Sequence, residues 1–413
     1  MKSKIIILIL IITASSAYSQ ESLERYLKEA ADSNSSLRAK FLEYMAAAEK
    51  AEGASSLPDP NLTFGWFVSP VETRVGSQQM KISLSQRFPW FGKLQSREDH
   101  LAALAQVRYQ EFEDYKQELY LNIIISWYNL LETRHEIVNL KKRINIITTR
   151  INSLESSYTS GEYAYDTLVE LINERTVMKN YKNDLENKYY SQKASFNKLL
   201  NKSPESDVTT EFNIPDAQLT AGYEELIDSV LTQNSRLAIY ESKRYAAEKA
   251  LKTAQNESFP DVTLAFDYIF IKERDDAVPD NGKDAAMPML SLNIPVFRGK
   301  YNAQTEEAQS LIKSTDESIA SEKYYIRSLL MSYASDFEAA KINVELFEDI
   351  INKTQSRIDA GISSFESGSS IDKILKLKEI KLKYELRLFK SKISRNLSVF
   401  RIERLMSNYE YNK

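Results

Sequence analysis

The sequence predicts a mixed fold in which strands of membrane-barrel type alternate with helices too long for a compact core, the whole plan written twice in 413 residues. Three observations predict it. Short motifs recur at a spacing near 200 residues, two strand pairs alternate with period two, and the long segments between them carry heptad seams.

The repeat comes first because it sets every boundary. Asn34-Ser35-Ser36-Leu37 recurs as Asn234-Ser235-Arg236-Leu237, and Glu49-Lys50-Ala51 as Glu248-Lys249-Ala250. Pro58-Asp59 recurs as Pro260-Asp261, Pro89 with Gly92-Lys93 as Pro295 with Gly299-Lys300, and Ser160-Gly161 as Ser367-Gly368. The offsets lie between 199 and 207, five ordered anchors that chance does not supply. The expected plan is a signal peptide at 1–19, a first repeat at 20–203, a linker at 204–221, a second repeat at 222–406 and a tail at 407–413. Within the first repeat we expect one helical segment (Glu21 to Ser55), a β-hairpin about 62–88 and helices about 94–158 and 166–201. The second gives one helical segment (Tyr223 to Asn256), a hairpin about 262–297 and helices about 301–360 and 371–405.

The amino terminus reads MKSKIIILILIITASSAYSQ, with Lys2 and Lys4, a short apolar run and small residues at Ala17 and Ser19, the pattern of a cleaved secretory signal. Removing its two lysines changes 54 cations against 58 anions to 52 against 58, a mildly acidic balance that argues against nucleic acid as partner. There is no cysteine, which excludes disulfides, thiolate metal sites and a lipidated amino-terminal cysteine. No later run approaches the length of apolar sequence that a transmembrane helix needs.

Each strand places large apolar residues on alternate positions. Val262, Leu264, Phe266, Tyr268 and Phe270 share one face and Thr263, Ala265, Asp267 and Ile269 the other; Leu290, Leu292 and Ile294 oppose Ser291 and Asn293. In the first copy Met80, Ile82 and Leu84 oppose Lys81, Ser83 and Ser85, and Leu62, Phe64 and Trp66 alternate with small residues. An ordinary sheet with one wet face shows the same alternation. Here no other strand-rich region exists to cover the apolar faces, so a membrane barrel fits better, and four strands cannot close one alone. The segments Ser69 to Gln78 and Lys272 to Met287 are then expected as outer loops.

The helices follow. Ile137, Leu140, Ile144, Ile147, Ile151, Leu154 and Tyr158 keep 3,4 spacing, and Phe337, Ala340, Val344, Phe347, Ile351, Thr354 and Ile358 repeat it. Met178, Tyr181, Leu185, Phe196 and Leu199, then Leu382, Leu386, Phe389 and Ile393, supply the returning partners. Flanking residues such as Ile123, Ile124, Ile125 and Trp127 widen the apolar face beyond a single seam, which suits a helix with neighbours on both sides. The chain turns back through Ser160-Gly161 and Ser367-Gly368, and Asp166 and Asp372 stand at the starts of the next helices, where a carboxylate suits the dipole with or without a further role.

With these residues in view, the mature chain resembles the TolC-like outer-membrane efflux family, in its tandem repeat, its Pro-Asp before each first strand, its Pro-x-x-Gly-Lys and Pro-x-x-x-Gly-Lys corners, and its Gly-containing tips followed by Asp. The resemblance implies a homotrimer with a 12-stranded transmembrane barrel, four strands per chain, continued into a long α-helical periplasmic tunnel. It implies a periplasmic adaptor at the Ser160-Gly161 and Ser367-Gly368 tips, an inner-membrane pump of the resistance-nodulation-division type, and residence in the outer membrane with a large periplasmic portion. Family members close the tunnel with acidic residues after the second tip; Asp372 matches, the position three further on is Leu375, and Lys373 and Lys376 stand nearby, which implies a single acidic ring with local ion pairs. Asp166 is its counterpart in the first copy. Pro89, Gly92, Pro295 and Gly299 make the β-to-α corners, Pro ending ladder pairing and Gly permitting the turn.

An enzyme is not expected. His100 and His135 are the two histidines, both on charged helices where such residues are usually exposed, and no nucleophile, metal or phosphate motif accompanies them. No cofactor or metal is implied. The competing reading is an exported structural or adhesive coiled coil without a pore.

Overall fold

The computed structural model describes residues 23–158, 165–210, 214–219, 222–363 and 371–407. In order they form α1 (residues 23–33), α2 (Ser35–Gly53), β1 (Asn61–Thr73), β2 (Gly76–Phe88), α3 (Lys93–Tyr158) and α4 (Tyr165–Leu199), then α5 (Tyr223–Gln233), α6 (Ser235–Glu257), β3 (Asp261–Lys272), β4 (Ala285–Asn293), α7 (Gly299–Ser363) and α8 (Ile371–Leu405). The second six elements repeat the first six. The expected signal peptide and both tips lie outside the described residues. Two compact units divide the chain, one of residues 40–112 and 236–322, the other of residues up to 39, 113–235 and from 323 onward.

The first unit carries the sheet. Its order is β1-β2-β3-β4, every neighbour antiparallel. The register stacks Leu62 opposite Leu84, Leu84 opposite Phe266, Phe64 opposite Ile82, Ile82 opposite Tyr268, and Leu264 opposite Leu290, so one face is continuously apolar. That face is uncovered, with Trp66 75% and Val68 96% exposed. The opposite face carries Thr63, Ser83, Ser85, Thr263 and Ser291, and Lys81 there forms an ion pair with Asp267. Both prolines within strands, Pro70 and Pro288, sit on the edge strands β1 and β4, where a missing N–H disturbs no internal ladder.

The expected outer loop from Ser69 to Gln78 is largely strand instead. Pairing lapses between Trp66 and Val71, around Pro70, then resumes to Thr73 opposite Gly76, leaving only Arg74 and Val75 as the turn. Polar composition suggested a loop; the ladder continues because backbone pairing does not need apolar side chains. Gly76 has φ of 131°, and a Cβ there would collide with the Lys272 carbonyl. The second loop, residues 273–284, is shorter than expected and is tied by Asn281, which accepts from the Arg274 amide and donates back to its carbonyl (2.9 and 2.8 Å).

The first corner behaves as the sequence suggests: β2 ends at Phe88 before Pro89, and Gly92 adopts φ of 82°. The second differs. β4 stops at Asn293, short of 297, because Pro295 denies the ladder a donor, and Gly299 is the first residue of α7 without a left-handed conformation. One corner needs its glycine's conformational freedom and the other does not.

The second unit holds the seams. Ile137, Leu140, Ile147, Ile151 and Leu154 of α3 bury against Leu171, Met178 and Leu185 of α4, with Ile144, Leu168, Ile172 and Tyr189 alongside. Tyr181 departs from the expected seam, being 46% exposed with its hydroxyl donating to Glu136 (2.8 Å). Ile123, Ile124, Trp127, Tyr128, Leu130 and Leu131 are all buried, so α3 has a wide core face here, whereas α7 buries a narrow stripe of Ile326, Leu330, Phe337, Ala340, Val344 and Ile358.

The expected single helix before each hairpin is broken, at Asn34 and at Asn234. The cause is side-chain competition. Asn34 Oδ1 accepts from the Leu37 amide, capping α2, while its Nδ2 donates to the Leu199 carbonyl at the end of α4 (both 2.9 Å). Asn234 Nδ2 donates likewise to Leu405 at the end of α8 (2.8 Å). Each return helix then stops at a residue of left-handed φ, Asn201 (51°) and Ser407 (52°). A motif visible only as a repeat marker is thus a clasp joining the start and end of each copy.

Candidate functional site

The sequence places the functional end of the long helices near Asp372 and Asp166. Asp372 lies in the first turn of α8, where Arg150 of α3 donates through Nε to its Oδ1 at 2.7 Å. Arg150, its side chain 8% exposed, also reaches Glu379 (3.5 Å), and Arg143 meets Glu379 from one heptad earlier (3.3 Å). Among the described residues neither Lys373 nor Lys376 forms the expected ion pair; both are exposed on α8, Lys376 one turn on from Asp372, while the carboxylate is taken by Arg150. Asp166 is exposed in the first turn of α4. The tips Ser160, Gly161, Ser367 and Gly368 lie outside the described residues.

The contact between α3 and α8 continues as a polar ladder. Asn139 Nδ2 donates to the Leu382 carbonyl (2.8 Å), and Lys390 bridges Glu136 (2.7 Å) and Glu132 (3.2 Å). Glu136, Arg143 and Arg150 are spaced by sevens, a second seam beside the apolar one. Thus α3 meets its own repeat's α4 mainly through hydrocarbon, whereas its contact with the other repeat's α8 adds this charged ladder to ring contacts such as His135 on Phe389 and Tyr128 beside Phe400. Periodicity analysis that scores only apolar positions misses this ladder; the charged residues at heptad spacing were the signal.

Both histidines differ from the expected exposed placement. His100 is half-buried with Nδ1 beside the Ala246 carbonyl (3.1 Å). His135 stacks on Phe389 with ring centroids 3.7 Å apart, and burial, then the charge of Lys142, lower its pKa to about 4 against the pull of Glu136. Stacking on an apolar neighbour overrode the polar context of its helix. Among the described residues no group of three or more His, Cys, Asp or Glu is placed to hold a metal, and no helix is long and apolar enough to cross a membrane.

The fold is that of known outer-membrane channels. Over 94% of this chain, the solved structure of the outer-membrane channel OprN superposes with TM-score 0.74 at 13% identity across 90% of its own length. CusC, a protein described as forming a transmembrane channel, gives 0.74 at 12% identity, 94% of this chain and 92% of that one. VceC, an outer membrane protein of Vibrio cholerae, gives 0.72 at 15% identity, covering 94% and 97%. No family model and no curated protein matches the chain. Similarity this low in identity and this complete in extent establishes the fold of the TolC-like outer-membrane efflux channels for the whole described chain.

Proposed function

We propose that this protein is the outer-membrane exit channel of a tripartite efflux system, passively conducting substrates from an inner-membrane pump and periplasmic adaptor to the exterior. Three copies form it, twelve strands in the outer membrane and a helical tunnel in the periplasm. The observation that carries the reading is the sheet: four strands with one exposed apolar face, one polar face and two open edges. In lipid every unpaired backbone group costs several kcal/mol, so open edges must be closed by further copies. A soluble coiled coil would leave those apolar faces in water. The number three rests on the family resemblance, as do the adaptor and a pump of the resistance-nodulation-division type. No catalytic constellation supports an enzyme.

Purified protein inserted into planar bilayers is expected to give discrete conductance steps, and membranes should retain it through carbonate washing. Extraction by carbonate together with silent bilayers would overturn the proposal in favour of the poreless coiled coil. Within it, Asp372 held by Arg150 is the periplasmic gate, with Asp166 at the start of α4 its counterpart in the first copy. Arg150→Gln should raise single-channel conductance or antibiotic sensitivity, and unchanged currents would remove the gate from the scheme. The tips at Ser160-Gly161 and Ser367-Gly368 take the adaptor; bulky residues there should abolish export while assemblies stay intact.

A further inference from the structure

The repeat motifs Gly-Lys and Pro-Asp meet once within the chain. Lys93, from the corner of the first copy, pairs with Asp261, which opens the first strand of the second copy, at 2.7 Å. Both are shielded, Lys93 to 3% exposure. Their counterparts are Lys300, 207 residues after Lys93, and Asp59, 202 residues before Asp261. Neither has an ion-pair partner among the described residues, and both are exposed. The same chemistry is satisfied at one junction of the copies and left open at the other.

The strands show the same asymmetry. β2 of the first copy pairs with β3 of the second, with Ser85 opposite Ala265, Leu84 opposite Phe266 and Gln86 opposite Leu264. The equivalent junction joins β4 to a β1, and within one chain both of these are open edges. The adjoining ion pair Arg97–Glu257 (2.6 Å) maps onto Gln304 and Ser55, and Gln304 Oε1 is a buried acceptor without a hydrogen-bond partner among the described residues.

We infer that β4 pairs with β1 of a second copy of this chain in the register that β2 and β3 use, with Lys300 forming an ion pair to the partner subunit's Asp59. Applying the internal register sets Ser291 opposite the partner subunit's Thr63, Leu290 opposite the partner subunit's Phe64, and Leu292 opposite the partner subunit's Leu62. The apolar residues then continue across the seam on one face, as they do within the chain. A slip of one residue would set the apolar set of one strand against the polar set of the other. The charges act as a register pin just beyond the strand ends, Asp59 two residues before β1 and Lys300 seven after β4.

This inference rests on the multi-chain barrel proposed above, and the test separates the two. The chain has no cysteine, so engineered pairs report alone. Thr63→Cys with Ser291→Cys, oxidised in membranes, should yield covalent oligomers in more than half of the protein, while Leu62→Cys with Ser291→Cys, which places the thiols on opposite faces, should yield at least fivefold less. Lys300→Asp and Asp59→Lys should each lower the yield of assembled protein several-fold, and the double variant should restore it to within twofold of the original. Native mass of the unmodified protein reads the assembly itself. Assembled protein in which the 63/291 pair fails to cross-link and the charge swap does not rescue overturns the register but leaves the barrel; a monomeric native mass overturns both.

Discussion

Replacing Asn34 tests whether the clasp between the beginning and end of a repeat is energetic or incidental. The side chain is buried and makes two described bonds, one capping α2 and one satisfying a terminal carbonyl of α4. Losing the cap costs about 1 kcal/mol, and leaving the Leu199 carbonyl buried without its donor adds about 1–3 kcal/mol. Asn34→Ala should therefore raise the local opening constant at both ends by roughly 30-fold or more, since each 1.4 kcal/mol is a factor of ten. Asn34→Asp retains an acceptor for the Leu37 amide but offers no donor to Leu199. Hydrogen exchange on the assembled protein resolves the two halves: the Leu37 amide should lose protection only in Asn34→Ala, whereas the Lys202 amide, bonded to Asn197 at 2.9 Å beyond the end of α4, should lose it in both variants. Wild-type protection at Lys202 in Asn34→Asp would show that the Leu199 contact carries no energy. Local exchange is the right measure because a large assembled chain has no single two-state unfolding free energy.

His135 gives a pH prediction. Its folded pKa of about 4 lies below the ordinary 6.5, so the unfolded chain takes up a proton as pH falls from 6.5 to 4 while the folded chain does not. Stability is highest above that window and declines through it, by at most about 3 kcal/mol per chain and less because solvent screens a half-buried ring. His135→Phe should flatten the decline in melting temperature between pH 7 and 4, and an unchanged slope refutes the assignment. Gly76→Ala should reduce folded, membrane-inserted protein sharply, since φ of 131° is strained for any side chain and the Lys272 carbonyl blocks a Cβ; insertion at the wild-type level would contradict the turn geometry. Burial raises the pKa of Glu403, which has no ion-pair partner among the described residues, so its charge is a cost at neutral pH that Glu403→Gln should relieve as a higher melting temperature, with a lower one counting against this.

The elements most legible in the sequence were those whose signal is local. Period two at Leu62 to Trp66 and Val262 to Phe270, and 3,4 spacing from Ile137 to Leu154, follow from which face must leave water, and the structure places those residues accordingly. The chain ends of strands at Pro89 and Pro295 follow from a missing donor. Less legible were features that depend on a distant partner. The break at Asn34 sits in a segment of good helix formers, and only the arrival of Leu199 makes the non-helical asparagine worth keeping. Lys373 and Lys376 were nearest to Asp372 in sequence, yet Arg150, 222 residues away, holds it.

By itself, then, the sequence determined the doubled plan, the strand faces, most of the apolar seam and the first corner, because each is written in the spacing of neighbouring residues. Tertiary structure alone decided which charges meet: Arg150 with Asp372, Lys390 with Glu136, Lys93 with Asp261. Hydrophobic burial is non-directional and sums along a segment, so periodicity reveals it, whereas an ion pair needs two particular atoms within a few ångströms, and the heptad spacing of Glu136, Arg143 and Arg150 marks a charged face without saying which residue each one meets.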